Sequence, residues 1–184
     1  IRESILGKNH RDYAVSLNNL ADSYLGLNNY TKAMEYCMQA LQIQESVLGK
    51  NHSDYARSLC CLALCYSGLG NHQKAIELET QALKIEEPVS GEKLQYATVL
   101  HNLAQEYSEL GNYVKAVELE EQVLRIRLSI LGKNHPDCAI SFNNFASYCS
   151  KFGAYREAIK LEVEALKIEE KAFGTNHPDY LIML

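Results

Sequence analysis

Apolar side chains recur along this chain in a helical rhythm. Leu17, Leu20, Ala21 and Tyr24 stand at i, i+3, i+4 and i+7, the spacing of one face of an α-helix. The same stripe returns as Leu59, Leu62, Ala63 and Tyr66, as Leu100, Leu103, Ala104 and Tyr107, and as Phe142, Phe145, Ala146 and Cys149, the last copy having its tyrosine displaced to Tyr148. A break follows each stripe at Asn28, Gly70, Gly111 and Gly153, residues that accept the left-handed conformation that ends a helix. Beyond each break a small residue, Ala33, Ala75, Ala116 or Ala158, is followed seven positions later by Ala40, Ala82, Val123 or Ala165. Seven residues are two helical turns, so each pair keeps one face of a second helix narrow and lets the first helix approach closely. The pattern predicts four antiparallel helical hairpins in units of 34 residues, at 14–47, 56–89, 97–130 and 139–172.

Short spacers at 48–55, 90–96 and 131–138 separate the units, with related segments at 6–13 and 173–180. Leu-Gly-Lys-Asn-His occupies 6–10, 48–52 and 131–135, and Gly174-Thr175-Asn176-His177 is a fourth relative. His10 and His52 lie 42 residues apart, as do His135 and His177, while the 83 residues from His52 to His135 hold one further, shortened copy at Ser90 to Tyr96 without the Asn-His pair. Pro136 and Pro178 follow their histidines as proline does at the first position of a helix. Asp12, Asp54, Asp137 and Asp179 fall in the first turn, where a negative charge meets the positive end of the helix dipole. The spacer therefore reads as a helix-starting device. Pro88 is expected to stop the second unit's second helix by about Glu87, and with the shortened spacer it marks the least regular junction, where the array is expected to bend differently.

Fixed self-similarity at this period means stacked units with a continuous core, in which a surface rather than one enclosed pocket carries function. The formal charge of −5 argues against the clustered basic surface of a nucleic-acid binder. No apolar stretch approaches the ~18 residues of a membrane helix and no signal peptide is evident, which points to a cytoplasmic protein with no membrane partner. Cys37, Cys60, Cys61, Cys65, Cys138 and Cys149 form no CxxC pair and no framework spacing, so reduced, buried or half-buried thiols are expected. Solenoid ends need polar caps, and the apolar end Leu181-Ile182-Met183-Leu184 fits a cut through a longer array; residues 1–184 are expected to be one solenoid with partial units at both ends. The glutamates of the second helices, among them Glu77, Glu79, Glu86, Glu118, Glu120, Glu121, Glu162 and Glu170, are expected to form a solvated convex face.

A 34-residue hairpin with a Leu-x2-Leu-Ala-x2-Tyr first helix, a Gly111-Asn112-Tyr113 turn and a spaced alanine pair resembles the tetratricopeptide repeat. The spacer and the Leu-Asn-Asn-Leu-Ala of residues 17–21 are similar to the 42-residue variety found in kinesin light chains and in many microbial and protist signalling proteins. The resemblance covers essentially the whole chain. It implies an all-α fold, a right-handed superhelical solenoid of antiparallel helix hairpins, whose concave wall is built from the first helices and binds extended peptides of partner proteins. Departures from the pattern are Asn28 for the turn glycine in the first unit, His72 for the turn tyrosine in the second and Cys149 for the buried tyrosine in the fourth, with the unit-end proline met only approximately by Pro88.

With the stripe buried, a rotation of about 100° per residue places Val15, Asn18, Asn19, Asp22 and Leu25 on the far side of the first helix. Equivalent sets are Arg57, Cys60, Cys61, Leu64 and Ser67, then Thr98, His101, Asn102, Gln105 and Ser108, then Ile140, Asn143, Asn144, Ser147 and Ser150. A carboxamide carries a donor and an acceptor on one plane and can grip a peptide C=O and N–H together. Asn19, Asn102 and Asn144 would form such a ladder; the plainer alternative is that they solvate an exposed helix face, although asparagine is a mediocre helix former. Cys60 and Cys61 interrupt it, leaving an apolar subsite beside Leu64 with Arg57 placed to anchor an acidic group.

Cys60, Cys61, Cys65 and His101 lack any zinc-ligand spacing, so no metal is expected. The spacer histidines recur in equal copies, which a catalytic site does not, and no GxxxxGK[ST], HExxH or GxSxG run is present, so neither an enzyme nor a cofactor is expected. The expected function is a non-catalytic protein–protein interaction module within a larger adaptor or receptor. Alternatives are a structural scaffold that self-associates and a sensor array attached to an NTPase or protease outside this chain. Asp22 and Glu109 mix with Arg57, His101 and Lys151 on the expected groove, so no strong field selects a partner by charge. The hairpin reading is checked by Ala116→Trp, which overfills the close contact between two helices and is expected to lower unfolding free energy by about 1 to 3 kcal/mol in urea titrations; unchanged stability would refute the pairing.

Overall fold

The computed structural model describes residues 9–86 and 93–173. Pro88, Ser90 to Glu92, Leu6 to Lys8, Gly174 to Asp179 and the apolar end Leu181 to Leu184 lie outside them. Among the described residues there are eight α-helices and no strand: α1 (Arg11–Gly26), α2 (Tyr30–Val47), α3 (Ser53–Gly68), α4 (His72–Glu86), α5 (Lys93–Glu109), α6 (Tyr113–Leu131), α7 (Pro136–Phe152) and α8 (Tyr155–Phe173). They divide into two compact units, 1–92 and 93–184, and the division falls inside the segment that breaks the repeat. No described helix is long and apolar enough to cross a membrane.

In the first unit, α1 pairs with α2, α3 pairs with α4, and α2 packs against α3. Each first helix starts on a histidine. The Nδ1 atoms of His10 and His52 accept the backbone N–H of Asp12 at 3.1 Å and of Asp54 at 3.0 Å, satisfying a donor that the helix start leaves open. The second helices start on asparagine: Asn29 and Asn71 accept the N–H of Lys32 and Lys74 through their side-chain oxygens. The intervening turns pass through Asn28 and Gly70 at φ 55° and 77°, the left-handed region expected of them. Ala33, Ala40, Ala75 and Ala82 have no exposed surface, as close helix pairing requires.

Around these contacts Ala14, Leu17, Ala40 and Ile43 form a core bordered by Tyr13 and Tyr36. Tyr36 stacks on Tyr24 with ring centroids 5.5 Å apart, and the Lys32 ammonium lies 5.3 Å from the Tyr24 ring centre. An ion pair from Arg11 to Asp54 ties the start of α1 to the start of α3. The guanidinium holds the Asp54 carboxyl below its ordinary range. Leu20 departs from the buried stripe, being 40% exposed, whereas its equivalent Leu62 is buried. The difference follows from stacking: Leu62 stands on a helix covered by the preceding hairpin, and no described hairpin precedes α1.

The second unit repeats the scheme, with α5 against α6, α7 against α8, and α6 against α7. His135 accepts the Asp137 N–H at 3.1 Å with Pro136 at the first helical position, Asn112 starts α6, and Gly111 and Gly153 turn at φ 76° and 92°. Leu124, Phe142, Ala146, Cys149, Ala158, Leu161, Ala165 and Ile168 belong to one core, with Val117, Leu128 and Phe145 at its border. Tyr148, one place before Cys149, is buried as well.

Two sequence expectations need correction. The second-helix glutamates are not uniformly solvated: Glu77, Glu118, Glu121, Glu162 and Glu170 are exposed, but Glu79, Glu86 and Glu120 are buried. Glu79 and Glu120 occupy the unit position that Cys37 holds in the first repeat, and Cys37 faces the next hairpin rather than solvent. Nor are all six cysteines isolated thiols, because Cys37 of α2 and Cys61 of α3 face each other sulfur to sulfur across the seam, while Cys60, Cys65, Cys138 and Cys149 stand apart as free cysteines.

Gly68, at the end of α3, is where the two hairpins approach most demandingly: a Cβ there would fall inside the Tyr30 ring, which is held by a 2.9 Å hydrogen bond to Asn28 Oδ1. Gly68→Ala is therefore expected to cost about 1 to 3 kcal/mol in urea unfolding, and much less in a Tyr30→Ala background. Equal costs in the two backgrounds would show that the ring is not the obstacle.

Candidate functional site

Each first helix packs its buried stripe against the second helix of its own hairpin, and the side turned away from that stripe carries the candidate face. On α1 the exposed residues of that face are Asn19 and Asp22, and on α3 they are Arg57 and Leu64. In the second unit, Thr98, Gln105 and Glu109 are exposed on α5 beside half-buried His101 and Asn102. Ile140, Ser147 and Lys151 are exposed on α7 beside half-buried Asn143 and Asn144.

Asn18 does not belong to this face. It is 4% exposed, and its amide donates to Ser58 Oγ at 2.6 Å, whose hydroxyl in turn lies 2.6 Å from Gln44 Oε1. This buried polar relay joins α1, α3 and α2. Cys61 is also withdrawn from the face, since it is buried and paired with Cys37, reaching the surface only through a 3.7 Å contact between its Sγ and Asp22 Oδ1. Ser108 is buried too and accepts a hydrogen bond from Lys151 Nζ at 3.1 Å, which ties α7 to α5. The helical wheel missed these because it weighs each helix alone. Neighbouring hairpins claim the flanks of the face as well as its back.

The remaining candidates differ in how much of their bonding capacity is already committed. His101 Nδ1 lies 2.9 Å from Oε2 of the fully buried Glu120, so the imidazole is oriented by a carboxylate beneath it. Asn143 donates to Glu169 Oε1 at 3.2 Å. Asp22 has its carboxyl pushed up by burial and drawn back by the nearby charge of Arg57. Asn102 and Asn144 sit half-buried at equivalent positions on α5 and α7, and Gln105 and Ser147 are exposed one turn further along.

Burial and the charges of Glu79 and Glu86 push the Cys60 thiol up to about 12, and burial with Asp22 pushes Cys65 up to about 11. Burial next to Glu120, Glu109 and Glu106 likewise raises the Tyr148 hydroxyl. Among the described residues no three His, Cys, Asp or Glu side chains converge to hold a metal ion.

Polar chemistry that sequence reasoning overlooked lies at the seams. Gln44 and Ser58 in the first unit have counterparts at the same unit positions in Arg127 and Ser141, where Arg127 donates to Ser141 Oγ at 2.7 Å and to the Asp137 carbonyl. A polar residue recurring late in each second helix, as Gln44, Glu86, Arg127 and Glu169, was the available signal.

Family profiles for the tetratricopeptide repeat match residues 12–87, 97–137 and 138–179. Among solved structures, the chain is similar to nearly identical TPR-like repeats of a kinesin-light-chain-type protein from Podosopora anserina, at 28% identity and a TM-score of 0.82 over 95% of this chain and 83% of that one. It is also similar to BtubC (BKLC) from P. vanneervenii, with 24% identity, a TM-score of 0.80 and coverage of 92% and 68%. The apo form of RapI gives 19%, 0.76, 86% and 56%. The latter two likenesses concern the fold alone. No curated protein sequence matches. The fold is thus an all-α repeat solenoid.

Ser58→Ala tests the assignment of Asn18 to a buried seam. Removing the hydroxyl leaves two buried amides short of a partner and is expected to cost about 1 to 3 kcal/mol of stability by urea unfolding; a neutral outcome would contradict the relay.

Proposed function

We propose, from the premise that this chain belongs to the tetratricopeptide repeat family, that it is a non-catalytic protein-interaction module binding an extended segment of a partner protein along the outward faces of its first helices. The observation that supports this is a contrast between two kinds of exposed surface. On the second helices the exposed charges pair among themselves one turn apart, as Lys74 with Glu77, Lys115 with Glu118, Lys160 with Glu157 and Lys167 with Glu164. Such pairs are solvated surface with little left to offer a ligand. The outward positions of the first helices instead present hydrogen-bonding groups without charge, Asn19, Gln105, Ser147 and the half-buried Asn102 and Asn144, set among Leu64 and the charged Asp22, Arg57, Glu109 and Lys151.

Carboxamides and hydroxyls of this kind suit a peptide backbone, whose C=O and N–H groups recur whatever the side chains. Arg57 adds a cation on the first unit, fit for an acidic side chain or a terminal carboxylate of the partner. A net charge of −5 disfavours nucleic acid as the ligand. The array would serve as one section of a larger cytoplasmic adaptor or receptor.

The test is a peptide-display selection on the whole chain, followed by affinity measurement of the selected peptides on Asn102→Ala/Asn144→Ala. A weakening of tenfold or more is expected, in line with the loss of two hydrogen-bonding amides at about 1 kcal/mol each. Unaltered affinity would remove the asparagines from the binding role.

A further inference from the structure

The seam between the first two hairpins carries a chemistry found at no other described seam within a unit. Cys37 on α2 has no exposed surface and Cys61 on α3 has 6%. Their Cα atoms are 6.4 Å apart, within the range a disulfide needs, and the two side chains face each other across the seam. In the second unit the equivalent positions hold Glu120 and Asn144, which cannot be joined covalently.

Two features of the surroundings suit an exchangeable pair. Neighbouring thiols compete poorly: Cys60 and Cys65 are held protonated by burial, and Cys65 Sγ donates to the Cys61 carbonyl at 3.3 Å. Cys61, though buried, stands directly behind the open face, since its Sγ lies 3.7 Å from Oδ1 of Asp22 on α1. A thiol at that distance is a weak donor to the carboxylate, whereas a disulfide sulfur has no proton to give.

We propose that Cys37 and Cys61 are a reversible redox couple that, when oxidised, fastens the first two hairpins to each other and withdraws a hydrogen-bond donor from Asp22 on the candidate binding face. Closing the couple forms one S–S bond: each cysteine gives up its proton and one electron, and a small-molecule disulfide such as oxidised glutathione takes both electrons and both protons to become two thiols. Opening is the reverse exchange. Reduced, the hairpins are held by packing, the Arg11–Asp54 ion pair and the Asn18–Ser58–Gln44 relay, and Asp22 regains its donor. The cross-link limits the unfolded chain more than the folded one, so closure stabilises the first unit.

The couple is tested on the 184-residue chain equilibrated in buffers of graded oxidised-to-reduced glutathione, acid-trapped, alkylated and mapped by mass spectrometry. A single species linking the Cys37 and Cys61 peptides is expected, with Cys60, Cys65, Cys138 and Cys149 alkylated, reversing fully as reduced glutathione is raised. Its melting temperature is expected to exceed that of the reduced chain by roughly 5 °C or more. With Arg57 and the protonated Cys65 of α3 facing it in both states, the Asp22 carboxyl, followed by NMR, is expected to titrate at higher pH in the oxidised chain, because the charged form has lost a donor. Cys37→Ala removes all three responses, and so does Cys61→Asn, which installs the residue native to positions 19, 102 and 144. Six free thiols at every buffer ratio, linkage between other cysteines, an unchanged melting temperature or an unmoved Asp22 titration would each overturn the proposal.

Discussion

Close approach of paired helices is the constraint on which the rest of this structure depends. Each second helix carries two small residues two turns apart, Ala33 and Ala40, Ala75 and Ala82, Ala116 and Val123, Ala158 and Ala165, and all eight are 2% exposed or less. A side chain much larger at any of them would force the first helix away, and the leucine and tyrosine stripes would lose the depth of burial that drives folding. Close pairing also fixes what remains: once the first helix has its stripe against the second helix, the side turned away from it is the one left to meet a ligand.

The local devices were legible in the sequence because each is a property of a few consecutive residues. Asn28, Gly70, Gly111 and Gly153 need a positive φ to turn the chain, and the histidine of the spacer needs only to lie two residues before an aspartate N–H to start a helix. What stacking decides was not legible. Asn18 and Asn19 are adjacent and identical, yet one is buried against Ser58 and the other is exposed, because a 100° step carries the side chain from a seam to the open face. Glu120 reads as surface by residue type and is buried against His101. Cys37 and Cys61 are 24 positions apart with no motif between them, so only the placement of one hairpin on the next could bring them together.

The seams therefore do more than hold the array. Repeats built on the same stripe offer similar apolar surfaces, and apolar contact alone would distinguish one neighbour from another poorly. Polar pairs that differ from seam to seam, Ser58 with Gln44, Ser141 with Arg127 and the cysteine pair, give each described junction its own chemistry. One such junction borders the candidate binding face, at Asp22 through Cys61, and within the third hairpin Glu120 reaches the face through His101. Changes made at a seam are thus carried to the face by direct contact.

The most direct test of where function resides is to map a selected peptide onto the chain by backbone-amide NMR. Shift changes are expected at Asn19, Asp22, Arg57, Leu64, Gln105 and Ser147, on the open faces of the first helices. Changes confined to Lys74, Glu118 and Lys160 on the second helices, or to the exposed turn residues Leu27, Leu69, Leu110 and Phe152, would contradict that assignment and move the interaction surface elsewhere on the repeat.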